Sequence, residues 1–212
     1  MIYFLSDLHG DMDFINSANY LNRATEDDLL IILGDVGLNF EKNSANKKFD
    51  KEFLSVNKKI AFIDGNHENF SYLNNFHEEH WNGGTVGRLT QNIVHLKRGN
   101  IYNIAGKTFF VFGGCKSSAK WKDMGLWYPE ELPNETELAF AYENLKKSNY
   151  KVDYILTHKY EESTGNNDSL QTLFNFIDKN VEFDRWYCGH WHKNERLDHK
   201  HIVVYNNLIS IE

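Results

Sequence analysis

Five short polar clusters hold most of the groups in this chain that could do chemistry. They are Asp7-Leu8-His9, Gly34-Asp35, Gly65-Asn66-His67-Glu68, Thr157-His158 and Gly189-His190-Trp191-His192. Imidazole and carboxylate together suit Zn, Mn or Fe, and one carboxylate can bridge two ions. Asp7, His9, Asp35, Asn66, His158, His190 and His192 make seven candidate ligands, too many for one tetrahedral ion. With one carboxylate shared, seven would supply four to each of two ions and leave room for solvent. That count points to a two-metal site of the kind that performs in-line displacement at phosphorus. A lone D-x-H or GHxH arises often by chance, so order and structural context must carry the reading.

Each cluster follows a run that reads as a buried strand. Ile2–Ser6, Leu29–Leu33, Lys59–Ile63, Val152–Thr157 and Arg185–Cys188 are short and rich in apolar, aromatic and β-branched residues. Amphipathic stretches around Asp13–Arg23 and Ala45–Val56 separate the first three. Strands alternating with helices indicate parallel pairing through right-handed crossovers. In such a sheet ligands bind beyond the carboxyl ends of the strands, so the clusters can converge, with adjacent glycines permitting tight turns.

Ile93–Leu96, Ile101–Ile104 and Thr108–Phe112 lie closer together and read as a second, antiparallel element, with a hairpin turn at Ala105-Gly106-Lys107. His201–Tyr205 and Leu208–Ile211, separated by Asn206-Asn207, read as closing strands, and residues 113–133 as one long irregular stretch. No internal repeat or linker is visible. The expected architecture is two packed sheets flanked by helices, in a single domain over residues 1–212.

The whole chain narrows the function further. Its 212 residues suffice for a core that needs no disulfide or structural metal, so a metal here would serve chemistry. A formal net charge of −7 repels polyanions and disfavours bulk nucleic-acid binding, although a metal pair could attract one phosphate locally. Cys115 and Cys188 each sit beside glycine at the end of an apolar run and read as reduced, structural thiols. The N-terminus starts directly with a strand and shows no leader or membrane span, so a cytoplasmic location is expected.

In this order, D-x-H, GD, GNH[DE], a lone His and GHxH resemble the motifs of the calcineurin-like metallophosphoesterase superfamily, and they span positions 7 to 192. The stretch around Trp127-Tyr128-Pro129-Glu130-Glu131 and Val152–His158 is similar to small stand-alone bacterial and phage members. The resemblance implies an α/β fold, a four-layer α-β-β-α sandwich of two mixed β-sheets flanked by helices. Matched residue by residue, it implies that Asp7, His9 and His192 bind one divalent ion and Asn66, His158 and His190 the other. Asp35 would bridge them, with Mn²⁺ the favoured ion and Zn²⁺, Fe or Ni²⁺ as alternatives. His67 would bind no metal and would protonate the leaving group or steady the transition state. The implied reaction is hydrolysis of a phosphodiester or phosphomonoester, small or nucleotide-like, by a hydroxide held between the ions.

The chain also departs from family patterns. Protein Ser/Thr phosphatases of this superfamily carry one arginine soon after GD and another just before GNHE. Here Gly34-Asp35 continues as Val36-Gly37-Leu38-Asn39, and Asp64 holds the second place. A bidentate guanidinium clamp on a phosphomonoester is therefore missing from its usual positions. A protein or nucleoside-polyphosphate phosphatase becomes the runner-up, and a catalytically weak binding scaffold is a reading of another class. Arg88, Arg98 and the loop lysines are the candidates for a substitute clamp. Lys120 and Trp121 belong to a stretch whose lysines and aromatics could form a rim that holds phosphate and stacks on a base. The same aromatics could equally anchor a long loop to the core. Lys159 follows His158 where many family members have a small residue or Cys, which alters the rim. His77, His80, His95, His199 and His201 fit no motif and read as surface or packing residues.

Overall fold

The computed structural model describes residues 1–41, 43–160 and 168–212. Strands β1 (Ile2–Leu5), β2 (Leu29–Leu33) and β3 (Ile60–Ile63) are buried at every position. Apolar runs without alternation behave this way when both faces of a parallel sheet are covered. The three strands pair in parallel, Tyr3 opposite Leu30 and Ile31 opposite Ala61. Helices α1 (Asp13–Ser17) and α2 (Tyr20–Arg23) make the first crossover and α3 (Ser44–Leu54) the second. The stretch around Asp13–Arg23 is two helices because Asn19 takes a left-handed φ of 55° between them.

After β3, α4 (Phe70–Leu73) leads into β4 (His77–Trp81), β5 (Gly84–Arg88) and β6 (Ile93–Leu96). β4 is the outermost strand of its sheet, so its polar His77-Glu78-Glu79-His80 run can stay wet. The structure corrects the place of β6. It lies in the first sheet, parallel to β3 and antiparallel to β5, rather than with the hairpin that follows it. All four of its residues are buried, and an interior place in the sheet covers both faces.

The second sheet contains β7 (Ile101–Ile104), β8 (Lys107–Phe112), β9 (Tyr154–Thr157), β10 (Arg185–Cys188), β11 (Glu195–Arg196) and β12 (His201–Val203). Ala105 and Gly106, with φ of 50° and 77°, form the tight turn between β7 and β8, as the sequence indicated. The stretch 113–133 is less irregular than expected, containing α5 (Ala119–Asp123) and a single 3₁₀ turn at Pro129–Glu131. α6 (Glu135–Lys147) and α7 (Ser169–Asn180) cover this sheet. The chain then changes sheets, because the last strand, β13 (Ile209–Ile211), pairs antiparallel with β1 rather than with β12.

The two sheets have orders β13-β1-β2-β3-β6-β5-β4 and β11-β12-β10-β9-β8-β7. Phe4, Ile31 and Ile63 of the first face Phe109, Val111 and Tyr187 of the second. The outer face of the first sheet packs Leu5, Leu30 and Phe62 against Ile15, Tyr20 and Phe53. On the other side Phe110, Ile155 and Trp186 meet Ala141, Leu145, Leu173 and Ile177. Side chains alternate between faces along each strand, so consecutive Phe109 and Phe110 serve different cores. The result is the four-layer α-β-β-α arrangement. Among the described residues no helix is long and apolar enough to cross a membrane.

Candidate metal centre

The five clusters meet where the carboxyl ends of β1, β2 and β3 come up against those of β9 and β10. Backbone pairing continues past the strands. The Asp7 N–H donates to Gly34 O (3.1 Å), the His9 N–H to Asp35 O (2.9 Å) and the Gly189 N–H to His158 O (2.8 Å). The sheets are also tied to each other, since His158 Nδ1 donates to Leu33 O at 2.7 Å and the His190 N–H donates to Asp7 Oδ2 at 2.9 Å. Glu68 accepts the N–H groups of Val36 (2.9 Å) and Gly37 (3.3 Å), joining the turn after β2 to the turn after β3. Its place in the motif was visible in the sequence, but this role was not.

The backbone turns sharply at these strand ends. Asp7, His9, Asp35, His190 and His192 have φ of 58°, 47°, 52°, 72° and 48°, a left-handed region that residues with a side chain rarely adopt. No side chain fits at Gly34 or Gly65. A Cβ would lie 2.3 Å from His158 Nδ1 in the first case and 2.1 Å from Asp35 Oδ1 in the second.

Asp7, His9 and His192 offer ligand atoms within 4.8 Å of one another, and so do Asp35, His158 and His190. The Nε2 atoms of His9 and His192 are 2.9 Å apart, His192 Nε2 is 3.4 Å from Asp7 Oδ1, and His158 Nε2 is 3.4 Å from Asp35 Oδ1. Two ligands each about 2.1 Å from one ion are about 3.0 Å apart at a right angle and about 3.4 Å apart at the tetrahedral angle. The observed separations therefore match the edges of a coordination shell. Asp7 Oδ1, Asn66 Oδ1 and His158 Nε2 are buried without a hydrogen-bond partner, three of the six such side-chain atoms among the described residues. Burying an unsatisfied polar atom costs about 1–3 kcal/mol, and a cation is the partner all three lack. Because the His158 Nδ1 proton is engaged by Leu33 O, neutral His158 presents its lone pair on Nε2. The donor set thus fits divalent ions.

Residues 1–194 match the model of the family described as calcineurin-like phosphoesterase. The chain belongs to that family. It is accordingly a phosphoesterase, a hydrolase of phosphate esters that works with divalent metal ions. No curated protein matches it. Among solved structures, a similar one is the crystal structure of the protein of unknown function AQ665 from Aquifex aeolicus. The two are 16% identical over 86% of this chain and 87% of that one, with a TM-score of 0.41.

Charge in the phosphoesterase centre is finely divided. Burial opposes ionisation of Asp35, but His158, His67 and His9 outweigh it and hold the carboxyl well below the usual range. Burial likewise opposes a charged His158, yet Asp35 and Asp7 push its pKa up to about 10. His190 is lowered to about 3 by burial and by His158, and burial also lowers His9, so both are neutral donors.

A cavity of about 420 Å³ opens over the clusters. Phe40, His67 and Trp121 form one wall, and Glu41, Asn43 and Asn46 another. The His67 ring is 4.2 Å from Trp121 and 5.1 Å from Phe40, centre to centre, and its backbone N–H donates to Asp35 Oδ1 at 2.7 Å. Burial lowers His67 to about 4, against the attraction of Asp35, so it is neutral at pH 7 in the free protein. That differs from the near-ordinary imidazolium a proton donor would need. A ring nitrogen of His67 also comes within 4.8 Å of ligand atoms on His9 and Asp35. Phe40 was not singled out in the sequence, where an aromatic following GD was its only signal.

Of the four candidate substrate contacts, Trp121 reaches this cavity. Lys120 is exposed beside it, with Nζ 5.8 Å from the Trp121 ring centre, and does not line the cavity. The two arginines lie elsewhere. Arg88 lies opposite Val94, near the start of β3 and at the far end of the sheet, where Nε donates to Glu79 Oε1 at 2.9 Å. Arg98 is buried and donates from Nε to Asp64 Oδ2 at 2.8 Å, with His95 Nε2 3.1 Å from the other oxygen. Each arginine is held by a carboxylate partner, and neither lines the cavity. His77, His80 and His199 are exposed, and buried His201 lies between Asp198 (2.9 Å) and Asp178 (3.4 Å).

Proposed function

We propose that this phosphoesterase holds two divalent ions, one on Asp7, His9 and His192 and the other on Asn66, His158 and His190, with Asp35 serving both. The observation that carries the reading is the orientation of Asp35. Its Oδ2 is 3.6 Å from His9 Nε2 and its Oδ1 is 3.4 Å from His158 Nε2, so each oxygen faces a different set of donors. Ions bound there would lower the pKa of a bound water to about 7 and take up charge developing on a phosphoryl group. Oxygen and imidazole donors suit Mn²⁺, our favoured ion, as well as Fe or Zn²⁺.

Only Asp7 and Asp35 among the seven ligands are anionic, too little charge to neutralise two divalent ions, so an anionic phosphate is drawn to the centre. Asp35 also fixes His67 through its backbone N–H. From there His67 would either pass a proton to the leaving oxygen or donate a hydrogen bond to a phosphoryl oxygen. Burial favours the second role, and the negative charge of a bound phosphate favours the first. Phe40 and Trp121 exclude water from one side and offer flat apolar faces to an organic group.

The substrate we propose is a phosphodiester or phosphomonoester with a small or nucleotide-like group, diesters first. No lysine or arginine lines the cavity among the described residues, and the single charge of a diester needs no guanidinium clamp. With Mn²⁺ present, bis(p-nitrophenyl) phosphate should turn over faster than a phosphoserine peptide, and the opposite order would overturn the preference. Elemental analysis should find two ions per chain, with Asp35→Asn depleting both. One ion per chain at saturation with full activity would end the two-ion reading.

A further inference from the structure

Asn66 is unlike the two carboxylates of the site in having two ends of opposite chemistry. Oδ1 can bind a cation, whereas Nδ2 carries two hydrogens and would repel one. The two ends have nearly the same shape, so hydrogen bonding rather than packing must choose between them. Nδ2 donates to Ser117 Oγ at 3.0 Å, and Oδ1 is left buried without a partner.

A serine hydroxyl alone could not enforce that choice, because it can donate as well as accept. Ser117, however, is engaged on its other side. Its backbone N–H donates to Glu131 Oε2 at 2.8 Å, and Glu131 is only 1% exposed. Burial raises Glu131 to about 7, while the backbone N–H and the hydroxyl of Ser117 both draw it back towards the charged form. A serine hydroxyl whose hydrogen is turned to that carboxylate has only lone pairs left for Asn66, and lone pairs accept from Nδ2 and not from Oδ1. The chain segment bearing both residues is stapled to the loop that carries Asn66. The Gly114 N–H donates to Asp64 O at 2.8 Å, and Arg98 bonds both Asp64 and, at 2.7 Å, Glu130 O.

We propose that Ser117 and Glu131 are positioning residues of the metal centre, forming a relay in which Glu131 orients the Ser117 hydroxyl and Ser117 orients Asn66 with Oδ1 towards the ion. The proposal rests on the reading of Asn66 as a ligand. It gives the stretch 113–133 a part in ion binding, 51 residues from the ligand it sets.

The test is equilibrium Mn²⁺ binding to the metal-free protein by calorimetry, with a thermal melt to confirm that each variant is folded. Ser117→Ala should weaken one ion about 10–100-fold, the usual effect of losing a group that orients a ligand, and leave the other unchanged. Ser117→Thr, which keeps the hydroxyl, should restore binding. Glu131→Gln should weaken the same ion, because an amide can donate to Ser117 Oγ and free its hydrogen to turn towards Asn66. In an Asn66→Ala background, Ser117→Ala should have no further effect. If Asn66→Ala weakens one ion and Ser117→Ala weakens neither, the relay is wrong. If Ser117→Thr binds no better than a weakened Ser117→Ala, the hydroxyl is not the orienting group, and the relay is again overturned. A neutral Glu131→Gln would remove Glu131 from it. If Asn66→Ala itself leaves both ions bound as before, the failure lies instead with Asn66 as a ligand.

Discussion

Replacing Arg98 with methionine should destabilise the protein by about 3–5 kcal/mol, the usual cost of breaking one side of a buried ion pair. The side chains of Arg98 and Asp64 are 5% and 3% exposed, and Arg98 donates to Asp64 Oδ2 from both Nε (2.8 Å) and Nη2 (2.5 Å). Methionine keeps the packing of the stem but leaves the carboxylate with His95 alone. Against a typical total stability of about 5–15 kcal/mol the loss is large. For a chain of this size it should lower the melting midpoint by about 6–20 °C, at about 2–4 °C per kcal/mol. Urea unfolding of the metal-free protein, followed by tryptophan fluorescence, measures it. The pH dependence supplies a second check. Burial tends to raise Asp64, but Arg98 and His95 overcome it and hold the carboxyl well below the usual range. A carboxyl depressed in the folded state contributes stability above its unfolded pKa of about 3.9 and loses it as pH falls through the folded value. The gap between wild type and Arg98→Met should therefore be full near neutrality and shrink on acidification. A gap under about 1 kcal/mol at pH 7, the range of exposed pairs, would refute the reasoning. So would a gap that widens towards acid. A raised KM for anionic substrate with stability unchanged would return Arg98 to the role of a clamp.

His67→Ala should retain both ions and lose about 10²–10⁴-fold in kcat on an ester with a poor alkoxide leaving group, with a much smaller loss for nitrophenolate. Equal losses would point to stabilisation of phosphoryl charge, and a lost ion would make His67 a ligand. Gly65→Ala should weaken both ions about 10–100-fold, since it disturbs the one ligand assigned to both. The added Cβ would lie 2.1 Å from Asp35 Oδ1 and 2.5 Å from Asp35 N, and the backbone atom cannot swing aside. Calorimetric affinities equal to wild type would show that Asp35 is not held as described.

What the sequence made legible was local. Ile2–Leu5, Leu29–Leu33 and Ile60–Ile63 are apolar at every position, and each gives way within two residues to glycine or aspartate, so strand and site announce themselves together. The capping box of Asn134 and Glu137 that opens α6 is a signal of the same short range. What escaped depends on partners far along the chain. Arg88 and Arg98 look alike in sequence, and carboxylates at positions 79 and 64 decide what each does. β4 hides because an outermost strand needs no apolar run. β6 joined a different sheet from the strand that follows it and β13 from the strand that precedes it, since burial on both faces and pairing with β1 are settled only when the layers assemble. Ser117 meets Asn66 only through the fold.

The left-handed turns at Asp7, His9, Asp35, His190 and His192 have an evolutionary consequence. A residue with a side chain held in that conformation costs roughly 1–2 kcal/mol, and glycine or asparagine relieves part of it. In a lineage that no longer hydrolysed esters, selection for function would cease at these five positions, and selection for stability would favour the replacements. The motifs would then be pushed out faster than neutral drift alone would remove them, and a descendant could gain stability from the mutations that ended its chemistry.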